Sequence, residues 1–388
     1  MKSVVLGGAG VEGSFVVDYL SKSEVFSDVT IADINKEAGK KLSEKYQNTD
    51  YVFLDASDKK KVSKVLKDAD VAVNCIGPFY KFAPPIMEAA IESSVDIVDI
   101  CDDYDMTETL IDEYDKKAKD AGITSIVGLG ASPGTTNIIA SLAAKNLDSV
   151  KDIKIFVVRG IKEEAGAAIP YHMMHCWIGN IPIFKNGRLK KVQGLLDGEE
   201  YVNFPDPFGQ VPVYYFGHPE SVTLPRYIDG LENVCCKGTF FPDEFREALL
   251  NIKELGLNKE EPHVDVFGNK IKPVDFLASY IGSITKEIQE KHSDVPTGAS
   301  VMVRVSGEKE SEPMMYEFVG TSRMKEATAT PAAIGAEMIV EDQIDSPGVQ
   351  APEGCVPPEL FLGRLLQGEE ISNTFFTVRK RLKSLDVF

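Results

Sequence analysis

The chain has 388 residues, of which 43% are hydrophobic and 26% charged, and its formal net charge is −18. That length suits two domains with a large buried core, while the acidic balance, with Lys and Arg scattered, offers no basic stripe for nucleic acid. The N-terminus passes straight into a strand and no apolar run approaches the ~18 residues of a membrane span, so a cytoplasmic protein without membrane or nucleic-acid partners is expected.

Val4–Gly13 reads VVLGGAGVEG: an apolar run enters Gly8-x-Gly10-x-x-Gly13 and continues into helical spacing at Val11, Phe15, Val16, Tyr19 and Leu20. This is the opening of a dinucleotide-binding unit. Gly8 permits the turn, Gly10 admits the pyrophosphate, and Gly13 lets the helix pack on the strand while its unpaired N–H groups face the phosphates. Gly8, Gly10, Val11, Glu12 and Gly13 are therefore expected to bind cofactor. A second strand, DVTIAD, ends at Asp33 about 20 residues past the glycines, where a carboxylate accepts the ribose hydroxyls of NAD and repels the 2′-phosphate of NADP. No Arg or Lys stands at residues 31–35, so NAD is the expected cofactor, with Asp33 and Ile34 beside the ribose.

Strands at 3–7, 28–33, 51–54, 70–76, 96–100 and 124–129 alternate with helices at 11–22, 36–47, 58–67, 84–93 and 107–121. Such alternation predicts a doubly wound parallel sheet. Asn35 and Asp58 suit helix starts, Pro84 and Pro85 suit the first turn of the fourth helix, and Gly122 suits the end of the fifth. Asp55 and Ala56, after the third strand, are expected near the adenine. Past residue 130 the texture changes to alternating strands, IKIFVV (153–158), VPVYYF (211–216) and VMVRV (301–305), which predict a second α/β domain on a mixed sheet. Thr330-Pro331 predicts a helix start, as does Pro357. The fold class is thus α/β, with domains at 1–130, 131–325 and 326–388. Cysteines 75, 101, 176, 235, 236 and 355 form no C-x-x-C pair, and His172-x-x-His175-Cys176 lacks a matching ligand pair, so no metal is expected.

GGAGVEG, NCIGPF (74–79), VDICDD (98–103), GLGASPGTTNIIA (128–140) and APEGCVPPELF (351–361), in this order, resemble the saccharopine dehydrogenase family over essentially the whole chain. Within the family the resemblance is to the lysine 6-dehydrogenase-like branch, whose GxAPGxxNI-type segment is similar to Gly130–Ile138; saccharopine reductases typically carry Asp where this chain has Ser132. The resemblance implies an N-terminal Rossmann domain, a middle domain forming the substrate cleft, a C-terminal segment returning to the Rossmann side, a homodimer, and oxidation or reduction of a carbon–nitrogen bond with a nicotinamide cofactor.

Oxidising an amine requires hydride departure, a proton acceptor and orientation of the reacting groups, supplied in open α/β sheets at the carboxyl ends of the strands. Asn74 and Gly77 are expected beside the nicotinamide ribose, with Tyr80 as an acid/base candidate. Asp99 and Asp102, after the fifth strand, would pair with a substrate ammonium, and crowding of carboxylates raises a pKa there; the competing reading is helix capping by Asp102, Asp103 and Asp105. Ser132 and Pro133 are expected at the cofactor, and Thr135 and Asn137 at the substrate. In the middle domain His172 and His175 are acid/base candidates, while Tyr171, His218 and Arg226 are substrate-binding candidates. The expected activity is NAD-dependent oxidation of an amino-acid amine, with L-lysine 6-deamination favoured. The alternatives are a saccharopine- or carboxynorspermidine-type reductase forming a secondary amine, and a non-catalytic NAD sensor.

Overall fold

A computed structural model gives the fold and describes residues 1–163, 166–261, 264–367 and 377–382. The described residues divide into two compact units, one within Met1–Leu142 and Met324–Ser372, the other within Ala143–Arg323 and Asn373–Phe388. Of the expected C-terminal segment 326–388, residues 368–376 and 383–388 lie outside the described residues.

In the first unit, β1 (Lys2–Leu6), β2 (Asp28–Asp33), β3 (Thr49–Phe53), β4 (Val71–Asn74), β5 (Asp96–Asp99) and β6 (Thr124–Val127) alternate with α1 (Val11–Lys22), α2 (Lys36–Ser43), α3 (Lys59–Leu66), α4 (Phe79–Ser93) and α5 (Tyr104–Ala121); α6 (Thr135–Lys145) follows. The sheet order is β3-β2-β1-β4-β5-β6, all parallel, extended by Gly348–Gln350 beside β6. That is the doubly wound dinucleotide-binding order. β4 and β6 are buried along their whole length, as strands covered on both faces must be.

Local chemistry sets the helix ends. Asn35 accepts from the Ala38 N–H at 3.1 Å and Asp58 from Lys60 at 3.1 Å, while Gly122 ends α5 at φ 71°. Two proline expectations are corrected. α4 begins at Phe79, so Pro84 and Pro85 lie inside it; the turn before them is anchored by Lys81 and Phe82 N–H groups on the Pro78 carbonyl. Likewise Thr330 and Pro331 lie within the helix Met324–Val340 rather than at its start. That helix is buried from Ala329 to Ile339 and rich in alanine. Packing against α1, β4 and β5 outweighs the loss of one backbone donor.

The second unit holds a nine-stranded mixed sheet. Ser149–Gly160 pairs parallel with Asn233–Phe241 and antiparallel with Ala299–Lys309, which is followed by Glu312–Ser322 and Thr377–Leu382. Beyond Asn233–Phe241 run Gln210–Phe216 and Glu200–Asn203. One face is filled by Phe156, Val158, Phe204, Val213 and Met302. The expected runs 153–158, 211–216 and 301–305 all fall inside these strands.

Candidate active site

In the first unit, the β1–α1 loop is shaped by close backbone approach. A Cβ on Gly13 would lie 2.1 Å from the Gly7 carbonyl oxygen, and Gly7 itself sits at φ +76°. The sequence pattern singled out Gly13 but not Gly7. No side chain caps α1 at Gly10, so the helix begins with Val11 and Glu12 at an open N-terminus suited to an anion. Gly8 packs beneath it, a Cβ there meeting the Val5 carbonyl oxygen at 3.0 Å. Asp33 is nearly buried: one carboxylate oxygen accepts from the Ala9 N–H at 2.9 Å and the other from Asn35 at 2.7 Å. These bonds tie the end of β2 to the glycine loop and leave each oxygen a further lone pair for a ribose hydroxyl. Ile34 beside it is exposed. Asp55 binds the Ser57 hydroxyl at 2.6 Å and the Ser57 N–H at 3.0 Å, bonds that hold its pKa below the usual range, and Ala56 is buried beneath it. The residues present thus fit a dinucleotide.

The loops after β4 and β5 are joined. The buried Asn74 donates to Asp99 at 2.8 Å and accepts from the Ile76 N–H at 3.1 Å, ahead of Gly77. Asp99 also accepts from the Cys101 N–H at 2.8 Å. Burial first, then the neighbouring charges of Asp102 and Asp103, push the Asp99 pKa up to about 7 against the bonds from Asn74 and Cys101. At 1% exposure Asp99 ties the two loops together. Asp102 is half-buried beside it. Of the capping alternative, the Asp103 part is corrected: it stands before α5 but makes no side-chain cap there, and its carboxylate accepts from the Tyr80 N–H at 3.3 Å, while Asp105 accepts from the Met106 N–H at 2.9 Å in the first turn of α5. The half-buried Tyr80, in the first turn of α4, therefore makes a second tie between the same loops.

After β6, Gly128 and Leu129 donate to the Asp99 carbonyl at 2.7 and 3.0 Å. Ser132 and Pro133 form the turn, with Gly130 donating to the Pro133 carbonyl at 2.9 Å. Thr135 and Asn137, expected at the substrate, also hold this loop together. The Thr135 hydroxyl donates to the Gly130 carbonyl at 3.2 Å; Asn137, fully buried, accepts from the Gly134 N–H at 2.9 Å and donates to Glu353 at 2.9 Å. Glu353 belongs to APEGCVPPELF, so that motif returns to brace the loop of the other.

In the second unit, His172 ends the helix Ile169–His172 and His175 lies in the π-helical turn Met173–Trp177, both half-buried. Tyr171 donates to Asp275 at 3.1 Å, and burial with that carboxylate raises its pKa. The structure brings His172 and His218 together, their ring centroids 5.9 Å apart. His218 Nδ1 lies 2.7 Å from the carboxylate of Glu220, a residue the sequence reading missed although it stands two positions on. Arg226, on the same helix Glu220–Tyr227, donates to the Val222 carbonyl at 3.3 Å.

Comparisons with known proteins divide the chain elsewhere, the second matching domain taking in parts of both units. Residues 4–126 match the saccharopine dehydrogenase NADP binding domain and residues 130–368 the saccharopine dehydrogenase C-terminal domain. The chain is 25% identical to carboxyaminopropylagmatine dehydrogenase of Synechocystis sp., over 94% of this chain and 95% of that protein. It is 24% identical to carboxynorspermidine synthase of Vibrio alginolyticus over 72% of each. The mouse saccharopine dehydrogenase-like oxidoreductase is 24% identical over only 33% of each chain. Among solved structures, yeast saccharopine dehydrogenase (L-Glu forming) has a TM-score of 0.69 at 15% identity, covering 98% of this chain and 99% of that one, which shows a shared fold.

Proposed function

Because this chain belongs to the saccharopine dehydrogenase family, we propose that it is an oxidoreductase using a nicotinamide dinucleotide to make or cleave the C–N bond of a secondary amine. The substrate would join an amino-acid skeleton to an amine, in the manner of a carboxyaminoalkyl polyamine. The observation that carries this reading is colinearity with carboxyaminopropylagmatine dehydrogenase over 94% of this chain, both units included. The bound nicotinamide supplies the hydride exchange. The glycine loop and the N-terminus of α1 bind the pyrophosphate, Asp33 orients the ribose and favours NAD, and Asn74, Gly77, Ser132 and Pro133 form the loops beside the reacting carbon. Asp102 and Tyr80 of the first unit supply proton-handling groups. A net charge of −18 favours cationic amines over multiply anionic substrates.

A second reading, L-lysine 6-deamination, is favoured by the half-buried carboxylate of Asp102 after β5, which suits a substrate ammonium. Incubating the protein with NAD or NADP and carboxyaminopropylagmatine, carboxynorspermidine, saccharopine or L-lysine at alkaline pH, and following the reduced nicotinamide, separates the readings. Turnover of a carboxyaminoalkyl amine at least tenfold above lysine is expected. Preference for lysine would reverse the order of the two. Dinucleotide binding with no turnover of any amine would leave the sensor reading. A homodimer, cytoplasmic in location, completes the proposal; among the described residues no helix is long and apolar enough to cross a membrane.

A further inference from the structure

We propose that the outer face of the helix Pro273–Lys291, with the hairpin 264–271 before it, is a self-complementary surface on which a second copy of this chain docks about a two-fold axis. The inference rests on the homodimer reading above and deepens it, giving that dimer a place in the second unit.

The hairpin is built in a way that its own unit does not explain. Among the described residues its strands, Val264–Val266 and Asn269–Ile271, pair only with each other, and every residue in them but Ile271 is exposed. A two-stranded hairpin is marginal in water until a further strand or a helix covers it. At its tip Phe267 is 101% exposed and holds φ at 50°, ahead of Gly268 at φ 84°. Such a turn takes Asn, Asp or Gly by preference, because left-handed backbone crowds a Cβ. A phenyl ring there is a strained choice that no packing within the chain repays.

On the helix, Val274, Leu277 and Ala278 are buried, while the opposite stripe of Phe276, Ser279, Tyr280 and Ser283 is exposed at i, i+3, i+4 and i+7. Phe276 and Tyr280 are 55% and 52% exposed with their rings stacked 6.2 Å apart, and residues 276–285 carry no charge in a chain that is 26% charged. Interface cores gather aromatics and shed charge in this manner. The stripe also has a direction. Lys270 and Lys272 precede the aromatic pair, whereas the small Gly282 and Ser283 and then the exposed Glu287 and Glu290 follow it, with Lys286 and Lys291 to either side. A Cβ on Gly282 would meet nothing, so packing within the chain does not call for glycine there. Among the described residues Lys270, Glu287 and Glu290 make no ion pair, while Lys272 holds Glu260 at 2.8 Å. A reversed copy answers both ends at once: with the axis beside Ser279 and Tyr280, Phe276 of one copy lies over Ser283 and Gly282 of the other, and Glu287 meets the lysine end. Copies that each carry −18 repel elsewhere, so this uncharged face is where their approach costs least.

The test follows the full chain by sedimentation equilibrium, with circular dichroism and dinucleotide affinity reporting on the fold. Wild type should be a dimer at micromolar concentration. Phe276→Lys combined with Tyr280→Lys sets like charges against each other across the axis and should weaken the dimer about 10²-fold, leaving a folded monomer that binds dinucleotide. Phe267→Asn suits the turn better, yet should weaken the dimer at least tenfold because the ring is lost. Glu287→Lys should also weaken it, and adding Lys270→Glu to the same chain should restore it. Ser279→Cys, beside the axis, should cross-link one copy to the other on mild oxidation where wild type does not. A dimer that survives the paired lysine substitutions, or one that Lys270→Glu fails to restore, overturns the proposal and leaves the homodimer reading standing. A wild type that is monomeric when pure overturns both, even if this face then captures a different protein. Should the paired lysine variant fail to fold, Phe267→Asn and the Ser279→Cys cross-link still decide.

Discussion

Asp33 carries two duties that a single substitution would entangle, since it accepts the Ala9 and Asn35 N–H groups as well as facing the ribose site. Asp33→Ser together with Ile34→Arg removes the repelling carboxylate and adds a guanidinium for a 2′-phosphate. The ratio of kcat/KM for NADP over NAD is expected to rise at least tenfold, and a wild type that already prefers NADP would contradict the role given to Asp33. Asp99 yields a prediction with a definite sign. Its folded pKa of about 7 lies above the ordinary carboxylate value of about 4, so between these pH values the folded chain holds a proton that the unfolded chain has released. Stability from this residue is therefore greatest below pH ~4, falls as pH rises toward 7, and is level above that. The wild-type unfolding free energy minus that of Asp99→Asn should decline by a few kcal/mol across that window; a flat difference would mean Asp99 is ionised in the fold. The sequence showed a carboxylate cluster after β5, but that Asp99 and Asp103 lie inside depends on the Asn74 amide and the Tyr80 N–H reaching over from the β4 side, pairings across strands that spacing along the chain does not encode.

Elements whose signal is local were legible and those governed by burial were not. The Gly8-x-Gly10-x-x-Gly13 turn, the caps at Asn35 and Asp58 and the Gly122 terminus each depend on a few consecutive residues. Pro84, Pro85 and Pro331 misled because a proline inside a helix is a local cost that packing of a buried helix can exceed. The β1–α1 element itself is testable. Gly13→Ala would force a Cβ 2.1 Å from the Gly7 carbonyl oxygen, and backbone cannot swing aside as a flexible side chain can. Overpacking of this kind costs about 1–3 kcal/mol, so a lower melting temperature and at least tenfold weaker dinucleotide binding are expected. Binding at wild-type strength would show that α1 can slide without loss.

At the scale of the whole chain, the first unit is stitched from two stretches, and the buried helix Met324–Val340 packs against α1, β4 and β5 of the other stretch. The fragment Met1–Leu142 alone should therefore expose the apolar faces of α1 and the sheet, aggregate, and fail to bind dinucleotide. Supplying residues 324–367 through a flexible linker should restore both solubility and binding. A fragment that folds and binds unaided would make the returning helix an accessory. The same stitching sets a clock on biosynthesis. The ribosome must add about 200 residues between the end of the first stretch and the end of that helix, roughly 10–40 s at ordinary elongation speeds. Throughout that interval the cofactor half waits with an unfilled seat, and any enzyme with this chain order depends on the cell to shelter its first-made part until its last-made helix arrives.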